Sequence, residues 1–584
     1  MAKNIGILAL LAIIIALPFI FRQPPPQGDW KPGDPTIVIV SPHNEAIRFE
    51  FAQGFSKWHA AKYGKPVKID WRNIGGTTEI GRYLASEYAA ATKAWWTGEK
   101  KNGWPTNASD DLVKPTLPAD NNSAAVWREY RTTDAPDAIS CKIDLFFGGG
   151  QFDHADAYAR GFAVPVAKDL PQTLFEDSGV EMIPTALSGE IWRTSSIMGN
   201  VVSTFGLIYN VDRIRELGVT TPPSQWKDLA DFRYFGQVGL ADPTKSASIA
   251  KAFEMIVHQQ MHDAVRDSGF DDAQIAANEK TIDAYRKSKA PAYQRGDVPP
   301  ELAEYQKALE DGFATGMGIV QRIGANSRYF TDSGSKVPID VSVGDAAVGM
   351  AIDFYGRFQA QASRAPDGAE RMKFVTPVGG TSVSVDPISL LRGAGGSARR
   401  EEDQAETRQT ALHFIEFLLG PDGQKLWTYK PGTPGGPEKY SLRRLPIRRD
   451  FYPSTQPGLA ETAKAHLAYA TDDLASPDID PYEVGKKFTY YPRWTFDHFA
   501  FFRTNVRAMC MDAGDELKQA WRTANEKSLP WSFEFPTLTL TAKDGQAKQV
   551  KVGWRTAPDL RSYEPIEVAR ALMLAYREQY AKVQ

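Results

Sequence analysis

The stretch Thr36–Phe51, TIVIVSPHNEAIRFEF, constrains the fold more than any other part of the 584-residue chain. Thr36 to Val40 are apolar or β-branched with no polar/apolar alternation, the pattern of a parallel strand buried on both faces. Ser41-Pro42-His43-Asn44 ends the run. From Glu45 onwards Ile47, Phe51, Phe55 and Trp58 recur at spacings of four and three, one face of a helix. Strand, polar turn and helix make half of a βαβ unit. The turn then sits at the strand's carboxyl end and the helix's amino end, where open α/β sheets bind ligands and free N–H groups favour anions. The alternative is that His43 and Asn44 only cap the helix.

Further units follow the same plan. Val67–Asn73 reads as a strand, Gly75-Gly76-Thr77-Thr78 as its turn, and Ile80, Leu84 and Tyr88 as a helix face. Ile143–Phe147 reads as the third strand. It ends in Gly148-Gly149-Gly150-Gln151, ahead of a helix from about Asp153 to Arg160. Three glycines let a ligand approach the backbone, or make a tight turn and nothing more. No Gly-Lys-Ser/Thr follows, so this is not a Walker-type loop. Val201–Tyr209 reads as one strand. Val238–Ala241 leads through Asp242–Ser248 into a helix bearing Ile249, Phe253 and Ile256, and the hydroxyls at its start suit both a cap and an anion cradle. Val341–Phe358 holds Asp345, Asp353 and Tyr355 as its main polar residues. Thr410–Leu419 is a helix stopped by Gly420-Pro421, Leu442–Asp450 (LRRLPIRRD) reads as a solvated basic face, and Phe535–Val552 as a hairpin.

The 68 basic and 71 acidic residues leave no electrostatic footprint for nucleic acid. Cys141 and Cys510 can pair in an oxidising compartment or stay as buried thiols. No Ser-His-Asp set, metalloprotease motif or paired-cysteine zinc motif appears. Lys3, an apolar run from Ile5 to Phe21 and Arg22 form an export signal or a short membrane anchor, and the five prolines of Gln23–Pro35 form a linker. Trp95, Trp96 and Trp104, in an insertion spanning Thr92–Pro136, read as local packing rather than a sugar platform.

The order of these motifs resembles the extracellular solute-binding proteins of ATP-driven (ABC) importers. The class is the two-lobed, type II one with two chain crossovers, in the branch that binds ferric iron, aminoethylphosphonate, thiamine or polyamines. The resemblance covers Thr36–Asp450 and rests on His43-Asn44-Glu45-Ala46, Phe205–Asn210, Leu240–Ser248, Asn326–Arg328, Gly344–Gly356, Ala411–Trp427 and Leu445–Pro446. It implies an α/β fold of two lobes closing on a ligand, with helical insertions and an extra C-terminal segment. Ferric-binding relatives use a histidine in the first turn, an acid after the third strand and two adjacent tyrosines. Here His43 matches, Gly148–Gln151 carries no acid, and the tyrosine pair falls on Phe354-Tyr355, leaving His43 and Tyr355 as metal ligands. A hard ferric ion prefers anionic oxygens, so an organic or phosphonate-like anion, or a metal held through a bound anion, fits these departures better. Within this resemblance the substrate site comprises Ser41, His43 and Asn44. Ser246 and Ser248 bond the anion. Gly75, Gly76, Thr77, Gly149, Gly150 and Gln151 surround it with donors, and Asp345, Asp353 or Tyr355 takes an amine or metal.

The expected layout is a signal or anchor over 1–22, with the membrane-associating run at 5–21, and a linker over 23–35. Lobe I follows over 36–200 with an insertion at about 92–136, and lobe II over 201–384 with a helical insertion at about 263–311. The chain returns to lobe I over 385–450, and an extension over 451–584 packs on the lobes. The expected function is extracytoplasmic capture of a small anion or metal–anion complex and delivery to ABC permease subunits. The chain would be a monomer with no catalytic residue and no cofactor, ferric iron entering only as a ligand. Two alternatives stand beside it: a membrane-anchored sensor or co-receptor ectodomain, and a cysteine-nucleophile enzyme on the same scaffold. For the latter, Cys141 lies at the wrong end of the third strand.

Overall fold

Two mixed sheets built on one plan carry the chain, which in this computed structural model is described over residues 30–135, 137–290, 296–452, 457–471, 479–542 and 545–583. The principal strands are β1 (Thr36–Val40), β2 (Lys68–Arg72), β3 (Leu145–Phe147), β4 (Met198–Ser203), β5 (Phe205–Asn210), β6 (Val238–Ala241), β7 (Ser327–Thr331), β8 (Val348–Ile352), β9 (Met372–Val375), β10 (Ser384–Leu390) and β11 (Leu445–Pro446). The first sheet runs β11-β4-β10-β3-β1-β2 and the second β7-β6-β8-β5-β9. In the first, β1 pairs parallel with β2 and β3, and β10 enters antiparallel beside β3. In the second, β6 pairs parallel with β7 and β8, and β5 enters antiparallel beside β8. Each antiparallel strand has just crossed from the other lobe. The repeated order 2-1-3 followed by the crossing strand makes two α/β lobes, the architecture expected from the sequence.

The first crossing corrects one expected element. Val201–Tyr209 is not one strand: Val201 and Val202 pair with Asp386 and Val385 in the first sheet, and Phe205–Tyr209 pair with Val348–Ile352 in the second. Between them the Thr204 N–H donates to the Asp353 carboxylate at 3.0 Å, which takes it out of either ladder. The first sheet therefore keeps the chain to Ser203, three residues beyond the expected boundary at 200.

The principal helices are α1 (Glu45–Tyr63), α2 (Thr77–Gly98), α3 (Gln151–Ala159), α4 (Ala247–Asp267), α5 (Asp272–Lys289), α6 (Ala303–Ala325), α7 (Asp353–Ala362), α8 (Gln404–Leu419), α9 (Phe499–Arg507), α10 (Gly514–Glu526) and α11 (Pro565–Ala581). The unbroken apolar run of β1 is explained by its two cores. Ile37 and Ile39 pack with Phe51, Phe55 and Phe417, while Val38 and Val40 pack with Ile80, Leu84 and Tyr88. Trp95 and Trp96 join the second core, so α2 runs on past Thr92, where an insertion was expected to begin.

The basic run 442–450 is not a solvated face. Arg443, Arg444, Arg448 and Asp450 are buried. Arg448 pairs with Asp450 at 2.8 Å and Arg444 with Asp386 at 2.7 Å, the partners a buried guanidinium requires.

The C-terminal segment makes a third crossing. Tyr482 and Val484 belong to the lobe I core, whereas Phe488 and everything packed after it, α9 to α11 included, belongs to the lobe II core. Its hairpin pairs Thr537–Thr541 with Ala547–Lys551. The expected anchor over 5–21 lies outside the described residues, and among the described residues no helix is long and apolar enough to cross a membrane.

Candidate functional site

A cavity of ≈ 180 Å³ lies between the two sheets at the carboxyl ends of β1, β3, β6 and β8. Lobe I contributes Pro42, His43, Gly76, Thr77, Gly149–Asp153 and Ser384–Asp386. Lobe II contributes Phe205, Lys245, Ala247, Ser248, Lys251, Glu254, Ile352, Phe354 and Tyr355. The third contribution, Phe496 and Phe499, comes from the C-terminal segment. The amino ends of α2, α3, α4 and α7 converge here, and such ends carry partial positive charge.

The turn after β1 is built from within. Ser41 Oγ accepts from the His43 N–H at 3.1 Å, and Asn44 Oδ1 accepts from the Ile47 N–H at 3.1 Å. Ser41 and Asn44 thus shape the turn and cap α1 rather than lining the cavity, which corrects their assignment as ligand contacts. His43 does line it. Gly148, at φ +89°, makes room for that imidazole, since a Cβ there would lie 2.3 Å from His43 Cε1. Gly149 at φ +99° does the same for Thr77, whose Cγ2 would lie 2.5 Å from an added Cβ. Gly75 is not on the wall, and Gly76 and Thr77 are.

His43 Nε2 stands 3.6 Å from Asp386 Oδ2, beyond hydrogen-bond reach, and among the described residues neither ring nitrogen has a hydrogen-bond partner. Burial lowers the imidazole pKa and outweighs the nearby carboxylate, so the ring is neutral at pH 7. Burial acts to raise Asp386, but the Arg444 guanidinium prevails and holds it below the usual carboxylate range. Arg444 is buried behind the wall. Its Nη2 bonds Asp386 and, at 2.9 Å, Ser203 Oγ, and its guanidinium lies 4.1 Å from the Phe354 ring centre.

The turn after β3 carries an acid one turn later than the expected position. Asp153 Oδ2 accepts from the Gly150 N–H at 3.1 Å, and burial raises its pKa. Gly149, Gly150 and Gln151 line the cavity as expected, but the Gly150 N–H meant for a ligand is already taken. At α4 the Ser246 hydroxyl accepts from the Ile249 N–H at 3.4 Å and meets Ser248 Oγ at 3.2 Å. Ser246 is therefore the cap, behind the wall, while Ala247 and Ser248 face the cavity. Lys251 Nζ lies 2.9 Å from both Glu190 Oε1 and Glu254 Oε2, under the Tyr490 ring at 3.7 Å. Burial acts to lower the Lys251 pKa, and the two carboxylates reverse that and raise it. Lys245 pairs with Asp332 at 2.8 Å.

Two more expected ligand contacts lie elsewhere. Asp345 is exposed in the loop before β8, at the end of the strand away from the cavity. Asp353 is buried, and its carboxylate accepts from the Thr204 N–H and hydroxyl and from the Phe354 N–H, so it fixes the crossing. Tyr355 lines the cavity, with burial raising its phenol pKa. Among the described residues no group of three or more His, Cys, Asp or Glu could hold a metal ion. Both cysteines are free and buried. Cys141 sits in the α2 core, where burial pushes its thiol up to about 12, the wrong direction for a nucleophile.

Asp386 had a visible signal, an acid inside the strand SVDPISL, and so had Asp153. Phe496 and Phe499 had none, because nothing in the sequence brings the C-terminal segment to the cleft.

No family model matches the chain. An uncharacterised protein of Haemophilus influenzae is 22% identical over 285 residues, 49% of this chain, and the match spans 60% of that protein's length. Among solved structures, the substrate-binding protein of an ABC transporter from Agrobacterium tumefaciens is 12% identical with a TM-score of 0.42, covering 82% of this chain and 95% of its own. The spermidine/putrescine-binding protein PotD of Streptococcus pneumoniae is 10% identical, TM-score 0.39, covering 80% and 99%. The periplasmic binding protein AfuA of Actinobacillus pleuropneumoniae, with fructose-6-phosphate bound, is 15% identical, TM-score 0.37, covering 67% and 81%.

Proposed function

We propose that the chain is a non-catalytic, extracytoplasmic solute-binding protein that captures a small organic anion between its lobes and delivers it to an ABC permease. The observation carrying this reading is the interlobe cavity, walled from both sheets at their strands' carboxyl ends and faced by four helix amino ends. Residues 5–21 would hold or export it, and it would act as a monomer. Ferric iron is the weaker cargo: Tyr355 is held as a phenol by burial, and Asp386 is already engaged by Arg444.

The test is the thermal midpoint of the purified protein against a panel of organic anions, phosphate, ferric citrate and polyamines. A solute at ~100 times its Kd stabilises by about 2.7 kcal/mol. A midpoint rise that disappears in His43→Ala supports the reading. Flat midpoints throughout, both as purified and after denaturation and refolding to release any copurified ligand, refute it.

A further inference from the structure

The cavity's size, its walls and its spent charges together narrow the ligand, provided that the solute-binding reading holds. At ≈ 180 Å³ the space is slightly larger than a cavity of roughly 150 Å³ that holds one benzene molecule. It therefore fits one six-membered ring and a head group of a few atoms. Six phenyl-bearing side chains stand in its wall: Phe152, Phe205, Phe354, Tyr355, Phe496 and Phe499. They come from three parts of the chain, with the Phe152 ring centre 5.7 Å from that of Phe496 and 5.4 Å from that of Phe499.

The charged groups at the same wall are mostly committed to one another. Lys251 is shared by Glu190 and Glu254, Asp386 is held by Arg444, and Asp153 occupies the Gly150 N–H. At the start of α2 the Glu79 carboxylate stands against Gly76, and Lys245 is paired with Asp332, so what remains is local. The first turn of α4 presents Ala247 and Ser248, whose N–H groups have no partner within a helix. His43 is only 7% exposed, is neutral, and has two unpartnered ring nitrogens. That donor set suits a single negative charge and leaves a dianion's second charge unpaired.

We infer that the ligand is a monoanion carrying one flat apolar ring, its head between His43 and the start of α4 and its ring against Phe152, Phe496 and Phe499. The C-terminal segment is then a specificity determinant, because two of those three rings belong to it.

The test uses the full-length protein and calorimetric titration with benzoate, cyclohexanecarboxylate, hexanoate, phthalate and phosphate. Benzoate is expected to bind tightest, and the dianion phthalate not to bind measurably. Phe499→Leu keeps the site apolar and is expected to weaken benzoate about tenfold, the scale of one aromatic pair, while hexanoate changes by less than about twofold. Phe496→Leu provides the same reading if Phe499→Leu unfolds. Phosphate, phthalate or hexanoate binding tighter than benzoate, or benzoate indifferent to both substitutions, overturns the inference and leaves solute binding standing. No binding of any probe, or of the wider panel before and after refolding, overturns both.

Discussion

Of the four helices that begin at the cavity, α3 of lobe I and α4 of lobe II present different amino ends to it. At α3 the protein's own carboxylate, Asp153, sits on the Gly150 N–H, so the helix end is filled from inside. At α4 the cap is a neutral hydroxyl, Ser246, which takes the Ile249 N–H and leaves Ala247 and Ser248 facing the cavity. The backbone plan is the same, and one side chain decides whether a helix end attracts an anion or has already bound one. Convergent helix ends are thus a poor guide to ligand charge until each cap has been assigned.

The largest effect tests what stands behind the filled side. Arg444→Met leaves Asp386, half-buried at the cavity wall, without its cation and should cost about 3 kcal/mol, read from urea unfolding. A loss under about 1 kcal/mol would mean that Asp386 has another counterion. Next comes acid. His154 on α3 and His262 on α4 are both lowered to about 4, chiefly by burial. A depressed folded pKa gives stability above the unfolded value near ~6.5 that is lost as pH falls towards about 4. Each should contribute on the order of 3 kcal/mol to that loss. His154→Gln and His262→Gln should each flatten the pH–stability curve in that window, and a curve unchanged by either would contradict it.

Asp153→Ala breaks the comparison itself. It should cost about 1 kcal/mol of stability as a lost cap, yet free the α3 end for a second negative charge. Dianion affinity that does not rise in this variant would show that the Asp153 carboxylate is not what blocks that end. The smallest effect is at the misassigned acid: Asp345→Asn is exposed and should stay within about 0.5 kcal/mol with ligand affinity unchanged, by thermal midpoint and calorimetry.

The sequence displayed the fold well because burial on both faces leaves a strong mark. β1 reads as an apolar run since Ile37 and Ile39 serve one core and Val38 and Val40 another. The turns that follow the strands were equally legible: His43, Gly76, Thr77, Gly149, Gly150, Gln151, Ser248 and Tyr355 all reach the cavity. What remained hidden was pairing at long range. Whether Asp353 faces a ligand or ties Thr204 depends on a neighbour 149 residues away. Asp386 and Arg444 are each odd alone and explicable only together. Local pattern finds a turn, but it does not reveal which of its polar atoms are already spoken for.

The third crossing between Val484 and Phe488 changes the mechanics of the molecule. The two crossings of the paired sheets lie side by side, with the Phe205 N–H donating to Thr381 Oγ1 at 2.9 Å, and together they define an axle. The C-terminal segment fastens elsewhere. The Tyr490 N–H donates to Ser188 O at 2.8 Å on lobe I, and the Tyr490 hydroxyl donates to Glu254 at 2.7 Å on lobe II. Farther on, Arg503 holds the carbonyls of Pro243 and Thr244 at 2.6 and 2.7 Å and reaches Thr78 Oγ1 at 3.4 Å on the opposite lobe. A door on its hinges swings freely, but one also latched along its free edge does not. Any parting of the lobes would have to break these contacts as well, so the segment beyond residue 488 ties the two sheets together at a second place, away from the axle.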